Sequence, residues 1–397
     1  MLYSSIILLL LLLSYHYDVC NNTRNRDFWF IFVLVVFVCV AGFRWRLGID
    51  TPVYMERFYY LTPTISKLTF DDMTESPLFV LLNSIVFTMG GRFYIVQLIH
   101  AAFVNCLIFF YFKKHSKFLF TCILFYSIMC YTNFNMEIMK ASMGIAISLF
   151  AYDYILENKW IKGYLLILLA ILFHFQFLVL LIVPLLFSIK FDKRGFLLLL
   201  FAFIIGEGLL HFFGQYSVLL NFDLLENKVS TYSNNSIYGT QRGNINFMIV
   251  NLLPYALYSV ISVFYTRKHS KNINLLRFEP LVILGLFFIV LRINLEIAYR
   301  YVDCFKVYFI LFYSEMFCLI AKSVNRRSRF YAYITSTIVF SILFLVCVGK
   351  RYFMSDGSGF RYYPYSSIFD REINKEREMR YFELNPLKHP NASENEY

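Results

Sequence analysis

Phe28-Trp29-Phe30-Ile31-Phe32-Val33-Leu34-Val35-Val36-Phe37-Val38-Cys39-Val40-Ala41-Gly42-Phe43 runs without a charge into Arg44-Trp45-Arg46-Leu47-Gly48-Ile49-Asp50-Thr51-Pro52-Val53-Tyr54. The first half has the composition of a membrane helix and the second that of a polar surface. Charged side chains are costly in hydrocarbon, so Arg44, Arg46 and Asp50 must sit at an interface or in a polar cavity. Gly48 permits a tight turn, and Pro52 fixes the backbone two residues past Asp50. The segment therefore predicts a shaped loop at the end of a span, a place where a site can be built.

The rest of the chain extends this pattern. Of its 397 residues 59% are hydrophobic and only 16% charged, and the mean hydropathy is +0.57. A soluble domain carries about 25% charged residues. The composition thus predicts an all-α polytopic membrane protein with no soluble domain. Apolar stretches fall near residues 2–17, 28–43, 94–112, 118–132, 138–156, 160–173, 175–189, 195–213, 245–265, 278–293, 301–321 and 330–349. They predict about twelve transmembrane helices, some shorter than the roughly 20 residues of a perpendicular span. A further stretch, Pro77 to Gly90, is broken by Asn83 and the Gly90-Gly91 pair and predicts a half-helix that does not cross. A polytopic domain over 1–349 and a tail over 350–397 follow. Ile6 to Leu13 lacks the basic flank and cleavage site of a signal peptide and predicts a retained helix.

The formal charge of +11 points to cytoplasmic loops and anionic lipid rather than to nucleic acid, for which no basic soluble domain exists. Lys113, Lys114 and Lys117 share one short loop, and Lys159 and Lys162 a second. Lys190, Lys193 and Arg194 mark a third; Arg267, Lys268, Lys271 and Arg277 a fourth; Lys322, Arg326, Arg327 and Arg329 a fifth. Their alternation along the chain predicts that these loops, with Arg24 and Arg26, are cytoplasmic. Both termini, the 44–78 loop and a polar 214–244 loop that resembles a lid would then lie outside. The eight cysteines are scattered without a CxxC pair, and the histidines show no ligand spacing, so no metal site is expected. No nucleotide-binding or GxSxG motif occurs, and no cofactor is implied.

Cations at the outer ends of spans run against the positive-inside tendency. Arg44, Arg46, Arg92, Lys140, Arg292, Arg300, Arg351 and Arg361 either snorkel and pair with carboxylates or converge on an anion. The arginine fork suits phosphate. Glu137 and Lys140 open a helix predicted over 136–156, three residues apart on one face, as an ion pair or as site residues. His174 is interfacial, or else a general acid–base or a hydrogen-bonding group. Arg292 to Asp303 forms a second polar knot, with Glu296, Arg300 and Tyr301 inside it, and predicts a cavity-facing site or a tether.

In this order the knots resemble the EpsG family of exopolysaccharide polymerases, relatives of the Wzy-type polymerases. Arg44 or Arg46 followed by Gly48, Asp50 and Tyr54 matches its arginine and Gly-x-Asp-x-x-x-Tyr pattern. Glu75-Ser76-Pro77-Leu78-Phe79 matches a Glu-Pro-like helix start, and Lys140-Ala141-Ser142-Met143-Gly144 an Arg-Gln-x-x-Ala entry, with lysine for arginine. Ala170-Ile171-Leu172-Phe173-His174, Arg300-Tyr301 and Tyr363-Pro364-Tyr365 match three later motifs. The resemblance implies a metal-independent glycosyltransferase without cofactor, in the bacterial inner (cytoplasmic) membrane. It would polymerise undecaprenyl-diphosphate-linked repeat units at the outer face, for exopolysaccharide, capsule or O-antigen. Membrane lipid, a flippase and a chain-length regulator are its implied partners. His174, Asp50 and Arg300 are then expected to be catalytic. Arg44, Arg46, Tyr54, Lys140, Arg292 and Tyr301 are expected to hold diphosphate and glycan. A lipid-linked glycan ligase and a non-catalytic lipid-linked sugar flippase are the rival readings.

Overall fold

The computed structural model describes residues 2–74, 76–216, 245–293, 298–348 and 361–372. Every regular element among them is helical, as the composition predicts. In chain order the longer α-helices are α1 (Leu2–Ser14), α2 (Arg26–Gly42), α3 (Asp50–Leu61), α4 (Pro77–Thr88), α5 (Phe93–His115) and α6 (Leu119–Met129). They continue with α7 (Met139–Leu156), α8 (Trp160–Phe173), α9 (Lys193–Tyr216), α10 (Ile245–His269) and α11 (Glu279–Leu291). The last two are α12 (Lys306–Ser323) and α13 (Arg329–Val348). The 214–244 loop, apart from its first residues, lies outside the described residues, as do Glu75, Glu296, Arg351 and the tail beyond residue 372.

Four stretches among the described residues are long and apolar enough to cross a membrane: Leu2–Val19, Phe93–His115, Ile273–Leu291 and Tyr299–Ser323. The protein is thus a helical membrane protein, while a dozen full spans remains an expectation. Several apolar runs are interrupted. The run over 175–189 becomes two 3₁₀ segments, Phe175–Leu181 and Val183–Leu186, where Pro184 withholds a backbone donor. Helix α4 has 12 residues, about 18 Å, well short of a hydrocarbon core of about 30 Å.

Two expectations are corrected. The stretch after Gly48 does not stay a loop, because α3 begins at Asp50 itself. Pro52 is no obstacle there, since the first backbone N–H groups of a helix have no intrahelical partner and the fixed proline φ suits the first turn. The helix predicted over 136–156 begins only at Met139, after a wide π turn over Asn133–Glu137. Glu137 thus lies in the turn ahead of α7, and Lys140 in the first turn of the helix.

The basic loops gather at one end of the bundle. Arg26 donates to the Lys117 carbonyl at 2.8 Å, Lys113 meets Asp27 at 2.7 Å, and Lys322 donates to Asn21 at 2.7 Å. Asp153 collects Lys114, His115 and Arg277 at 2.8, 2.6 and 3.6 Å. Glu279 ties Arg267 to the backbone N–H of Phe191, which brings in the 190–194 loop. The Arg44–Asp50 segment lies at the other end, where residues 361–372 strap it down. Trp45 N–H donates to the Ser366 carbonyl at 2.9 Å, Gly48 N–H to that of Arg361 at 3.2 Å, and Ile368 N–H to that of Phe43 at 2.9 Å.

Candidate functional site

Glu137 is the hub of this end. Its carboxylate accepts the backbone N–H of Ile49 at 3.1 Å, that of Asp50 at 3.0 Å, and the Tyr362 hydroxyl at 2.8 Å. Three distant segments (44–50, 133–137 and 361–372) therefore meet on one buried carboxylate, 6% exposed. Gly48 makes this approach possible. Its φ is +87°, and a Cβ there would lie 3.0 Å from Glu137 Oε1 and 3.1 Å from the Met136 carbonyl oxygen. Thr51 locks the same junction by donating to the Met136 carbonyl at 2.7 Å.

The π turn that carries Glu137 is pinned from behind. Asn105 donates to Asn135 at 2.8 Å, Tyr126 to Asn105 at 3.0 Å, and Asn135 to the Tyr131 carbonyl at 2.9 Å. All are buried, where an unmade hydrogen bond costs about 1–3 kcal/mol. Asn133, at the front of the turn, donates to Asp303 at 3.2 Å. Asp303 pairs with Lys306, which also donates to the Tyr299 hydroxyl at 2.7 Å. The second polar knot is thereby anchored beside the first.

Asp50 sits where these pieces converge. Burial, and next the negative charge of Glu137, push its carboxyl up to about 7, while the positive charges of Arg300, Arg361 and Arg57 pull the other way. Tyr54, one turn along α3, feels Asp50, Glu137, Arg57 and Arg300 as well. Lys140 Nζ stands 6.0 Å from the centre of the Tyr54 ring and 5.8 Å from that of Phe79, a cation against a packed aromatic pair. The fold thus brings Asp50, Tyr54, Lys140 and Arg300 together. A carboxyl titrating near neutrality between a carboxylate and several guanidinium groups can take a proton from a bound hydroxyl. The guanidinium groups can hold an anion beside it.

The other expected site residues make contacts of their own. Arg44 is fully buried, donating to the Ala41 carbonyl, to Thr51 at 3.4 Å and to Met139 sulfur at 3.2 Å. Burial lowers it to about 10, so it remains a cation at neutral pH, braced inside the wall. With Arg46 it lines a separate cavity of about 220 Å³. Arg292 lies over the Tyr299 ring at 4.6 Å. Tyr301 stacks on Phe288 at 5.1 Å, a packing contact. His174 ends α8, and its Nδ1 accepts the backbone N–H of Gln176 at 3.2 Å. The neutral ring therefore carries its proton on Nε2 and offers a donor. Phe177 packs onto Gly144, where a Cβ would come within 2.1 Å of its ring, which puts His174 at the Lys140 end of α7.

Sequence reasoning singled out Glu137, as a partner of Lys140 or as a site residue, but not its bonds to Ile49, Asp50 and Tyr362, and it left Tyr362 and Arg57 aside. Glu137 and Tyr362 are joined across 225 positions, and no local spacing carries that information. Arg361 was visible only as one outer cation among several.

A model of the EpsG family matches residues 27–367. No curated protein and no solved structure matches the chain.

Proposed function

The chain belongs to the EpsG family, and from that premise we propose that it polymerises undecaprenyl-diphosphate-linked repeat units outside the inner membrane. The observation that carries this reading is the buried Asp50 carboxyl, whose backbone N–H is bound by Glu137 and which feels the negative charge of Glu137 and the positive charges of Arg300 and Arg361. In the proposed step an acceptor hydroxyl attacks the anomeric carbon of the donor glycan. Asp50 takes the hydroxyl proton, a new C–O bond forms, and the bond from that carbon to the diphosphate breaks. Arg300 and Arg361 stabilise the departing diphosphate, whose charge grows as it leaves. Lys140, over Tyr54, supplies further positive charge, and the Nε2 donor of His174 orients a substrate oxygen. All three functions need only residues of this chain, which supports transfer rather than transport. The gathering of the base and these cations at one end supports the same choice.

Arg300→Ala and His174→Ala should each strip polymer from cells and leave single lipid-linked repeat units accumulating. Polymer of normal length in both variants would overturn the assignment. Missing attachment with polymer intact would point instead to a ligase.

The orientation follows from the basic end being cytoplasmic. Ser66→Cys, exposed between α3 and α4, should react with an impermeant maleimide in intact cells. Cys20, exposed at the basic end, should react only after permeabilisation. The reverse pattern would turn the protein over and remove the site from the outer face.

A further inference from the structure

A cleft of about 170 Å³ opens beside the Glu137 cluster. Tyr3 and Ile7 of α1 form one wall and Ser127, in the last turn of α6, another. Tyr131, shortly before the π turn, and Tyr362 of the strap line it as well. Helix α1 precedes the span that matches the EpsG family, which begins at residue 27. One wall of the cleft therefore lies outside the family pattern.

No charged residue lines the cleft, and three of its hydroxyls are committed elsewhere. Tyr131 donates to the Phe37 carbonyl at 2.7 Å, Ser127 to that of Leu124 at 2.7 Å, and Tyr362 to Glu137 at 2.8 Å. What these residues leave for a ligand is mostly carbon. A polar molecule would lose its hydration there with little in return, whereas hydrocarbon fits.

Two links join the cleft to the reacting groups. Tyr362 both lines it and bonds to Glu137, whose carboxylate also binds the Asp50 N–H at 3.0 Å. The chain itself runs directly from Tyr131 into the π turn that carries Glu137. Helix α1 begins at this same end, where the Tyr3 hydroxyl approaches Met136 sulfur at 3.9 Å and its ring meets that of Tyr365 at 6.1 Å. From Tyr3 to Ile7 the cleft follows α1 for one turn, about 6 Å. Beyond it Ile7, Leu8 and Leu12 are exposed on a helix long and apolar enough to cross a membrane. The cleft thus leads from the carboxylate hub towards lipid.

We propose that this cleft holds the isoprenoid chain of the donor, next to the diphosphate. The proposal rests on the polymerase reading, in which Arg300 and Arg361 hold that diphosphate beside Asp50. A diphosphate gripped alone leaves the donor free to swing about it. Seating the chain as well fixes the angle at which the anomeric carbon faces Asp50, which is an orientation effect. The bilayer is already apolar, so entering the cleft gains little from the hydrophobic effect. The gain is close packing of a branched chain against aromatic rings. Chain shape is then what the cleft reads.

The test is the binding of prenyl diphosphates to the purified full chain in nanodiscs. Ile7→Trp narrows the cleft from its exposed side, and Ser127→Phe narrows it from α6. Each should weaken farnesyl diphosphate about tenfold and leave dimethylallyl diphosphate, with its single isoprene unit, unchanged. Retention of the short ligand shows that the variants are folded with their diphosphate site intact. Partition into the bilayer is common to wild type and variants, so their ratio reports on the cleft. Unchanged farnesyl diphosphate binding in both variants, or equal weakening of the two ligands in both, would overturn the proposal. Dodecyl diphosphate, a straight chain of the same backbone length, should bind the wild type more weakly than farnesyl diphosphate. If it binds equally well and is weakened equally by the variants, the cleft is an ordinary lipid crevice and the isoprenoid assignment falls. If Arg300→Ala still makes polymer while the cleft variants lose farnesyl diphosphate selectively, the polymerase reading fails and the isoprenoid site stands. If Arg300→Ala abolishes polymer while the cleft variants bind as the wild type does, the reading stands and the isoprenoid site fails.

Discussion

Asp50→Asn should reduce polymer elongation by about 10²–10⁴-fold, the usual effect of removing a general base. The variant keeps the size and much of the hydrogen-bonding capacity of the side chain, and the backbone N–H of Asp50 still reaches Glu137. The loss would therefore report on the proton rather than on the loop. The pH dependence sharpens the expectation. Burial and the Glu137 charge push the Asp50 carboxyl up to about 7, so the carboxylate that acts as base forms only as pH rises through neutrality. The wild-type rate should fall about tenfold per pH unit below that point and level off above it, and the Asn variant should lack this limb. An acid limb near the ordinary carboxylate value of about 4 would remove Asp50 from the role. His174 supplies the contrast. With Nδ1 occupied by the Gln176 N–H, its neutral ring is a donor, so the residual rate of His174→Ala should keep the limb. Loss of the limb in that variant would make His174 the base.

The sequence made the membership of this site partly legible, because membrane energetics leave few reasons for Arg44, Asp50, Lys140 or Arg300 to stand at span ends. Geometry was harder. Glu137 and Lys140, three apart, read as a pair on one helical face or as site residues, and no spacing shows that the π turn at Asn133–Glu137 carries the carboxylate to Ile49, Asp50 and Tyr362. The arginines looked like one cluster. Helix α3 divides them, with Arg300 and Arg361 near Asp50 and Arg44 and Arg46 around the cavity behind it. That division depends on a helix hidden by its own proline, since Pro52 marks a turn as readily as it marks a first helical turn. Apolar runs likewise mark where chain is buried, but not whether it stays helical throughout, as Phe175–Leu181 and Val183–Leu186 illustrate.

Glu137→Ala should be the most disruptive single change at this end, because it acts on shape and charge together. It strands the N–H groups of Ile49 and Asp50 and the Tyr362 hydroxyl. Hydrogen bonds to a charged acceptor contribute about 1.5–3 kcal/mol each, although water reaching the opened loop would recover part of this. The helical core shares none of these contacts, so the expected result is local. The amides of Ile49 and Asp50 should exchange at least tenfold faster, residues 361–372 should become open to protease, and polymer should disappear. Glu137→Gln separates the two effects. It keeps an acceptor oxygen for the loop but removes the negative charge that helps raise Asp50. A like charge disfavours ionisation, so its removal must lower the Asp50 carboxyl and move the acid limb of the rate to lower pH. If Glu137→Ala left both the amide protection and the polymer intact, the carboxylate would be no hub. A limb moving to higher pH in Glu137→Gln would mean that the loop, and not the charge, sets the proton affinity of Asp50.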